Sequence, residues 1–132
     1  MANLQCIVVT PEQTVLDTDA DFIALPLFDG EIGIAPGRSP LIGRLGFGEM
    51  RLSRGGEVER YYVDGGFVQI AKNVVSVLTS RAVAADKLQE ETARGQIEAA
   101  LKKPINTPEL QEIRDRNLAQ ARAQLRVAQR AK

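Results

Sequence analysis

Short apolar and β-branched runs, separated by turn formers, fill the first 80 residues of the chain. Leu4 to Val9, Phe22 to Leu27, Val58 to Val63, Gly66 to Ala71 and Val74 to Thr79 each read as a strand. Thr10-Pro11, Pro36-Gly37, Gly55-Gly56 and Lys72-Asn73 punctuate them, and no helical period is visible. Short strands at this spacing predict an antiparallel sandwich or barrel.

From Asp86 onward the pattern changes to Ala, Leu, Glu, Gln, Lys and Arg, the strongest helix formers. Asp86 with Gln89 three residues later has the pattern of a capping box, which predicts a first helix from about Lys87 to Lys103, stopped by Pro104. Thr107 is placed to cap a second helix with Pro108 at its first position, running almost to the end. The link Pro-Ile-Asn-Thr-Pro then joins two antiparallel helices into a hairpin. The expected units are a β domain over residues 1–85 and a helical hairpin over 86–132.

The apolar stripes on these helices are thin: Ala93, Ile97, Ala100 and Leu101 on the first, Leu110, Ile113, Ala121, Leu125 and Ala128 on the second. An Ala in place of a buried Leu forgoes about 2 kcal/mol, and Gly95 inside the first helix subtracts about 1 kcal/mol more. Such a hairpin is expected to dock weakly and to be able to let go.

Charge sharpens this division. The chain carries 17 basic and 17 acidic side chains, yet residues 1–85 hold 7 and 10 of them and residues 86–132 hold 10 and 7. A net −3 is therefore followed by a net +3. The absence of His excludes Ser-His-Asp and Cys-His nucleophiles, an imidazole base and His-ligated metal centres. Cys6 alone makes no internal disulfide and no CxxC pair, so an intracellular address is expected. The N-terminus has no basic stretch ahead of an apolar run, and no apolar segment approaches about 18 residues.

Several motifs fail on spacing. Gly46-Phe47-Gly48 is followed by Arg51 where a dinucleotide fingerprint needs Gly, and Gly30, Gly33 and Gly37 fit no phosphate loop. Asp17, Asp19 and Asp21 begin like a calcium loop, but Phe22 and Phe28 stand where it needs Gly and Glu. Ser39 has no base to activate it, and Glu57, Glu59, Glu90 and Glu91 read as exposed charges. Neither cofactor nor metal is expected.

Two features remain. Gly30 to Leu41 mixes apolar side chains with structure breakers, which suits a bulged strand with a tight turn, a rigid surface loop presenting Glu31, Arg38 and Ser39, or both. Arg122, Arg126 and Arg130 recur every four residues on one helix face, and the last sixteen residues carry four positive charges and no negative one. That stripe is either a solvated face matched to the helix C-terminus or an attractor of polyanions. Without an aromatic platform, an acidic protein surface suits it better than nucleic acid.

The chain resembles the epsilon subunit of bacterial and organellar F-type ATP synthases across essentially its whole length. The resemblance rests on Gly30-Glu31-Ile32-Gly33-Ile34-Ala35-Pro36-Gly37-Arg38-Ser39-Pro40-Leu41, on Tyr62 to Ile70 followed by Asn73 to Leu78, and on Ala123-Gln124-Leu125-Arg126-Val127-Ala128. It implies a ten-stranded antiparallel β-sandwich followed by a two-helix antiparallel hairpin. It also implies a non-catalytic rotor subunit in the central stalk, at the cytoplasmic face of the bacterial inner membrane and attached only through the complex. The implied partners are the gamma subunit, the ring of c subunits and the alpha/beta head. The loop carrying Glu31, Ile32, Gly33, Arg38, Ser39 and Pro40 would face the ring, and Arg122, Arg126 and Arg130 the head, where the hairpin would restrain ATP hydrolysis. Some relatives bind ATP through Ile/Leu-Asp-x-x-Arg-Ala; here Leu88-Gln89-Glu90-Glu91-Thr92-Ala93 puts Gln89 for the carboxylate and Thr92 for the arginine. Gln120 and Gln124 fall where those relatives carry arginines, so no nucleotide site is expected. The rival reading is a small β module that binds nucleic acid or a ligand, with a basic helical tail.

Overall fold

The computed structural model of the chain describes residues 3–103 and 106–130. Eight strands come first: β1 (Leu4–Val9), β2 (Thr14–Ala20), β3 (Phe22–Leu27), β4 (Gly30–Ile34), β5 (Leu41–Arg54), β6 (Glu57–Ala71), β7 (Val74–Leu78) and β8 (Ala82–Ala84). A 3₁₀ turn over Ala85–Lys87 leads to helices α1 (Glu90–Lys102) and α2 (Pro108–Arg130). The sheet order is β2-β1-β7-β6-β5-β3-β4, with β8 pairing on β6.

The strand count and the pairing both correct the expectation. There are eight strands rather than ten, and β1 runs parallel to β7, so the sheet is mixed. The count falls because β5 and β6, of 14 and 15 residues, run through the fold of the sheet instead of ending there. Both change phase at the same place. Leu45 of β5 and Val68 and Ile70 of β6 point into the core on one side, whereas Met50, Leu52 and Val63 do so on the other. Odd and even positions have exchanged roles around Gly46 and Gly65, where the pairing of the two strands skips. At Gly65 (φ 73°) and Gly66 (φ 107°) the backbone takes conformations that L side chains avoid, which bends the strand while its register with β5 is the same on both sides, Leu45 opposite Gly66 and Phe47 opposite Asp64.

The two halves close on one core of Leu4, Cys6, Val8, Ile23, Leu25, Leu45, Met50, Leu52, Val63, Val68, Ile70, Val75 and Val77. Each such Val, Leu or Ile contributes about 1.5–3 kcal/mol on burial. Gly55-Gly56 and Lys72-Asn73, all at positive φ, are the two-residue turns joining β5 to β6 and β6 to β7, as their sequence predicts.

The start of the helical region also differs from expectation. Asp86 sits in the 3₁₀ turn, Leu88 is extended, and α1 begins at Glu90 with Gln89 as its cap residue. Leu88 is drawn against a second apolar cluster, described below, which pulls the chain out of helix there. Lys103 ends α1 in an extended conformation, as expected of a residue before proline; the stop at Pro104 itself lies outside the described residues. Thr107 accepts a bond from the Leu110 amide at 3.2 Å, the expected cap. α1 packs chiefly on α2 through small buried residues, Ala93 and Ala100 on α1 and Ala121 and Ala128 on α2. Leu101, Leu110 and Ile113 of the expected stripe stay exposed.

Candidate functional site: the faces of the sandwich and the docked helix

The outer face of β5 and β6 is divided at the Gly46/Gly65 bend. Before it, Arg44, Phe67 and Leu78 face one another across β5, β6 and β7, with Ile42 two positions along from Arg44. Ile42 is 74% exposed, Phe67 57% and Leu78 51%. The Arg44 guanidinium lies 4.8 Å from the centre of the Phe28 ring, itself 70% exposed. Beyond the bend the same face is covered. Tyr62 there is fully buried with Ala85, Ala123 and Val127, flanked by Phe47 and Leu88.

Helix α2 lies over this second region. The Tyr62 hydroxyl donates to Asp64 at 3.0 Å, and the Gln120 amide donates to the same carboxylate oxygen at 3.1 Å. Gln124, almost wholly buried, also bonds Tyr62. Burial, then the neighbouring Asp64 charge, pushes the Tyr62 phenol well above its ordinary value. Opposite Tyr62 in the β5–β6 ladder stands Glu49, only 6% exposed. Arg51, Arg60 and Arg130 approach its Oε1 at 3.3, 3.9 and 3.8 Å.

The structure divides the loop residues singled out by sequence. Glu31, Ile32 and Gly33 lie in β4, an edge strand, while Arg38, Ser39 and Pro40 lie exposed in its connection to β5. Ile32 packs partly on the core, and Glu31 binds Arg51 at 2.8 Å. The loop is pinned, because the Gly37 amide donates to the Asn73 side chain at 2.8 Å and Gly37 turns the chain at φ 87°. Of the basic stripe, Arg122 and Arg126 are exposed and Arg130 reaches Glu49. Gln89 accepts a bond from Thr92 at 3.2 Å, and Gln120 and Gln124 line a cleft with Arg81, Gln96 and Lys103.

Sequence reasoning assigns no role to Glu49 or Arg51, and quotes Tyr62 and Asp64 only as part of a matching stretch. Only their cross-strand register and the return of α2 bring them together, and no local pattern announces that. Buried Cys6, its thiol pushed up to about 12 chiefly by burial, is a core residue. Among the described residues no group of His, Cys, Asp or Glu is arranged to hold a metal ion. No described helix is long and apolar enough to cross a membrane.

The folded-over sheet thus carries exposed apolar side chains on one face and a helical hairpin on the other, the form of a chain built for contact rather than for chemistry. A family model for the β-sandwich domain of the ATP synthase delta/epsilon chain matches residues 3–85. The ATP synthase epsilon chain of Rhodopirellula baltica is 50% identical over 126 residues, covering 96% of this chain and 98% of the relative. Solved structures of similar fold are a chain of the Euglena gracilis mitochondrial ATP synthase OSCP/F1/c-ring assembly and one of the Tetrahymena thermophila mitochondrial ATP synthase central stalk and c-ring. The first has a TM-score of 0.85 at 20% identity, covering 93% of this chain and 79% of its own. The second has a TM-score of 0.75 at 14% identity, covering 95% and 96%. The chain belongs to the ATP synthase epsilon chain family, and is a subunit of that complex other than the catalytic one.

Proposed function

We propose that this chain couples rotation of a membrane ring to the catalytic head of an ATP synthase by clamping the ring to the central shaft. The observation that carries this reading is the open apolar row of Phe28, Ile42, Phe67 and Leu78 on an otherwise rigid sandwich. Exposed large apolar side chains gathered on one face mark a protein contact, and here they form the seat for gamma. The loop of Glu31, Ile32, Gly33, Arg38, Ser39 and Pro40 is proposed to meet the c ring. Held by Asn73 and by Gly37, it has little conformational freedom left to lose on docking.

Residues 1–85 then act as the mechanical unit and residues 86–132 as a separable regulatory one. The hairpin restrains ATP hydrolysis when it leaves the sandwich and presents Arg122, Arg126 and Arg130 to an acidic surface of the head. The complex sits at the cytoplasmic face of the bacterial inner membrane, and this subunit reaches the membrane only through its partners. Gln120 and Gln124 are committed to Asp64 and Tyr62 and bring no charge to the cleft they line, so the isolated subunit is expected to lack micromolar affinity for ATP. Calorimetric detection of such affinity would contradict that part.

Co-purification tests the main reading. The native chain should retain gamma and c subunits, and Phe67→Asp should lose gamma while staying folded, since Phe67 lies outside the core. Retention of gamma by the variant at native levels would remove the proposed seat.

A further inference from the structure

We infer that Arg130 latches α2 onto the sandwich by pairing with Glu49, whose carboxylate the docked helix dehydrates. Three observations carry this. Glu49 belongs to a strand, yet its side chain is nearly inaccessible, and α2 is the element lying over that part of β5. Its Oε2 atom is buried with no hydrogen-bond partner, while all three guanidiniums crowd Oε1. Of these three, two belong to the sandwich and are present whether or not the helix is down; Arg130 alone arrives with the helix.

The physical consequence is directional. A docked α2 removes water from Glu49, and a carboxylate stripped of water is costly unless charge returns. The last turn of a helix carries partial negative charge of its own, so an uncompensated helix end brought to Glu49 would add repulsion. Arg130, on that last turn, answers both. Arg51 is less free to do so, because it is shared with Glu31 of β4 at 2.8 Å. The apolar contribution to docking rests on Ala123 and Val127 against Tyr62, small side chains that leave the balance sensitive to a single charge.

This makes the docked hairpin a charge-controlled latch, and it distinguishes the two ends of the pair. Arg130→Gln strips the cation and leaves a dehydrated carboxylate, so it should loosen the helix. Glu49→Gln removes the cation's target together with the dehydration penalty, so it should loosen the helix less or tighten it.

The test uses the isolated full-length chain and amide hydrogen exchange of residues 118–130, with the amides of β7 as an internal control for the sandwich. Arg130→Gln should speed exchange in α2 by about three- to tenfold, the range for a partly exposed charge contact to a buried group, and leave β7 unchanged. Arg126→Gln, on the same helix face and in no ion pair among the described residues, should change α2 by less than about twofold. In a Glu49→Gln background Arg130→Gln should have no further effect. Raising salt from about 0.05 M to about 0.5 M should speed α2 exchange in the native chain and not in Arg130→Gln. The inference is overturned if Arg130→Gln exchanges like the native chain, or if its effect persists undiminished when Glu49 is already Gln. None of these readings depends on the ATP synthase complex, so they stand or fall separately from the function proposed above.

Discussion

Gly66 shows how little freedom single positions have at the bend. A Cβ added there would lie 1.9 Å from the Leu78 carbonyl oxygen, on a backbone with φ at 107°. Gly66→Ala should therefore cost about 3 kcal/mol or more, read as a lowered midpoint of urea unfolding. Gly55→Ala, in an open turn with φ at 59°, should cost only about 1 kcal/mol. Alkaline pH supplies a second residue-level test. Burial raises the Tyr62 phenol, raises Tyr61 to about 12 and raises Cys6 to about 12. Below about pH 7.5 both folded and unfolded chains hold these protons, and stability is intact; the unfolded Cys6 thiol ionises first and the phenols follow near pH 10. As pH climbs further the unfolded chain ionises first, so stability falls continuously toward pH 12. Tyr62→Phe should make the fall shallower above about pH 10, measured by denaturant midpoints across the range; an unchanged slope would show that Tyr62 does not titrate with unfolding.

Among elements, legibility followed whether a segment's partners were local. β1, β3 and β7 are readable because apolar residues fill them, β-branched in β1 and β7, and turns bound them. β5 was not, since Gly43, Gly46 and Gly48 dilute its propensity. Those glycines answer to a neighbour: added Cβ atoms would meet the Leu27 side chain, the Leu27 carbonyl oxygen at 2.8 Å and the Pro26 ring respectively, all in β3. Sequence alone divides β6 into Val58 to Val63 and Gly66 to Ala71, because Asp64-Gly65 interrupts the apolar run, whereas pairing with β5 on both sides carries the strand through the bend. The hairpin is legible from its composition and from the Thr107 cap, though not from the Asp86–Gln89 pair, and the loop from its breakers. Glu49 was not, because its burial depends on a helix about 80 residues further on. Two predictions belong to this scale. Val127→Asp places a carboxylate beside Tyr62 and should undock α2 at a cost of about 2–3 kcal/mol, seen as faster exchange in α2 with the sandwich amides unchanged. Removal of residues 86–132 should leave a folded sandwich, since its main core cluster includes no helical residue. In the assembled enzyme that truncation should raise ATP hydrolysis, and unchanged hydrolysis would dismiss the restraint assigned to the hairpin.

Over the whole molecule, charge and rigidity are arranged for transmission rather than chemistry. A net negative sandwich holds a net positive hairpin against one face and leaves the other face apolar and open. The family explains why a chain without His, with its one Cys in the core, persists as a separate subunit. The work proposed for it is to keep two moving parts in step. The most direct measurement is ATP-driven ion transport per ATP hydrolysed in vesicles carrying the synthase assembled with the native chain, with Phe67→Asp, or without the chain. The account predicts that hydrolysis continues in all three while transport per ATP collapses in the last two; equal transport per ATP without the chain would contradict it.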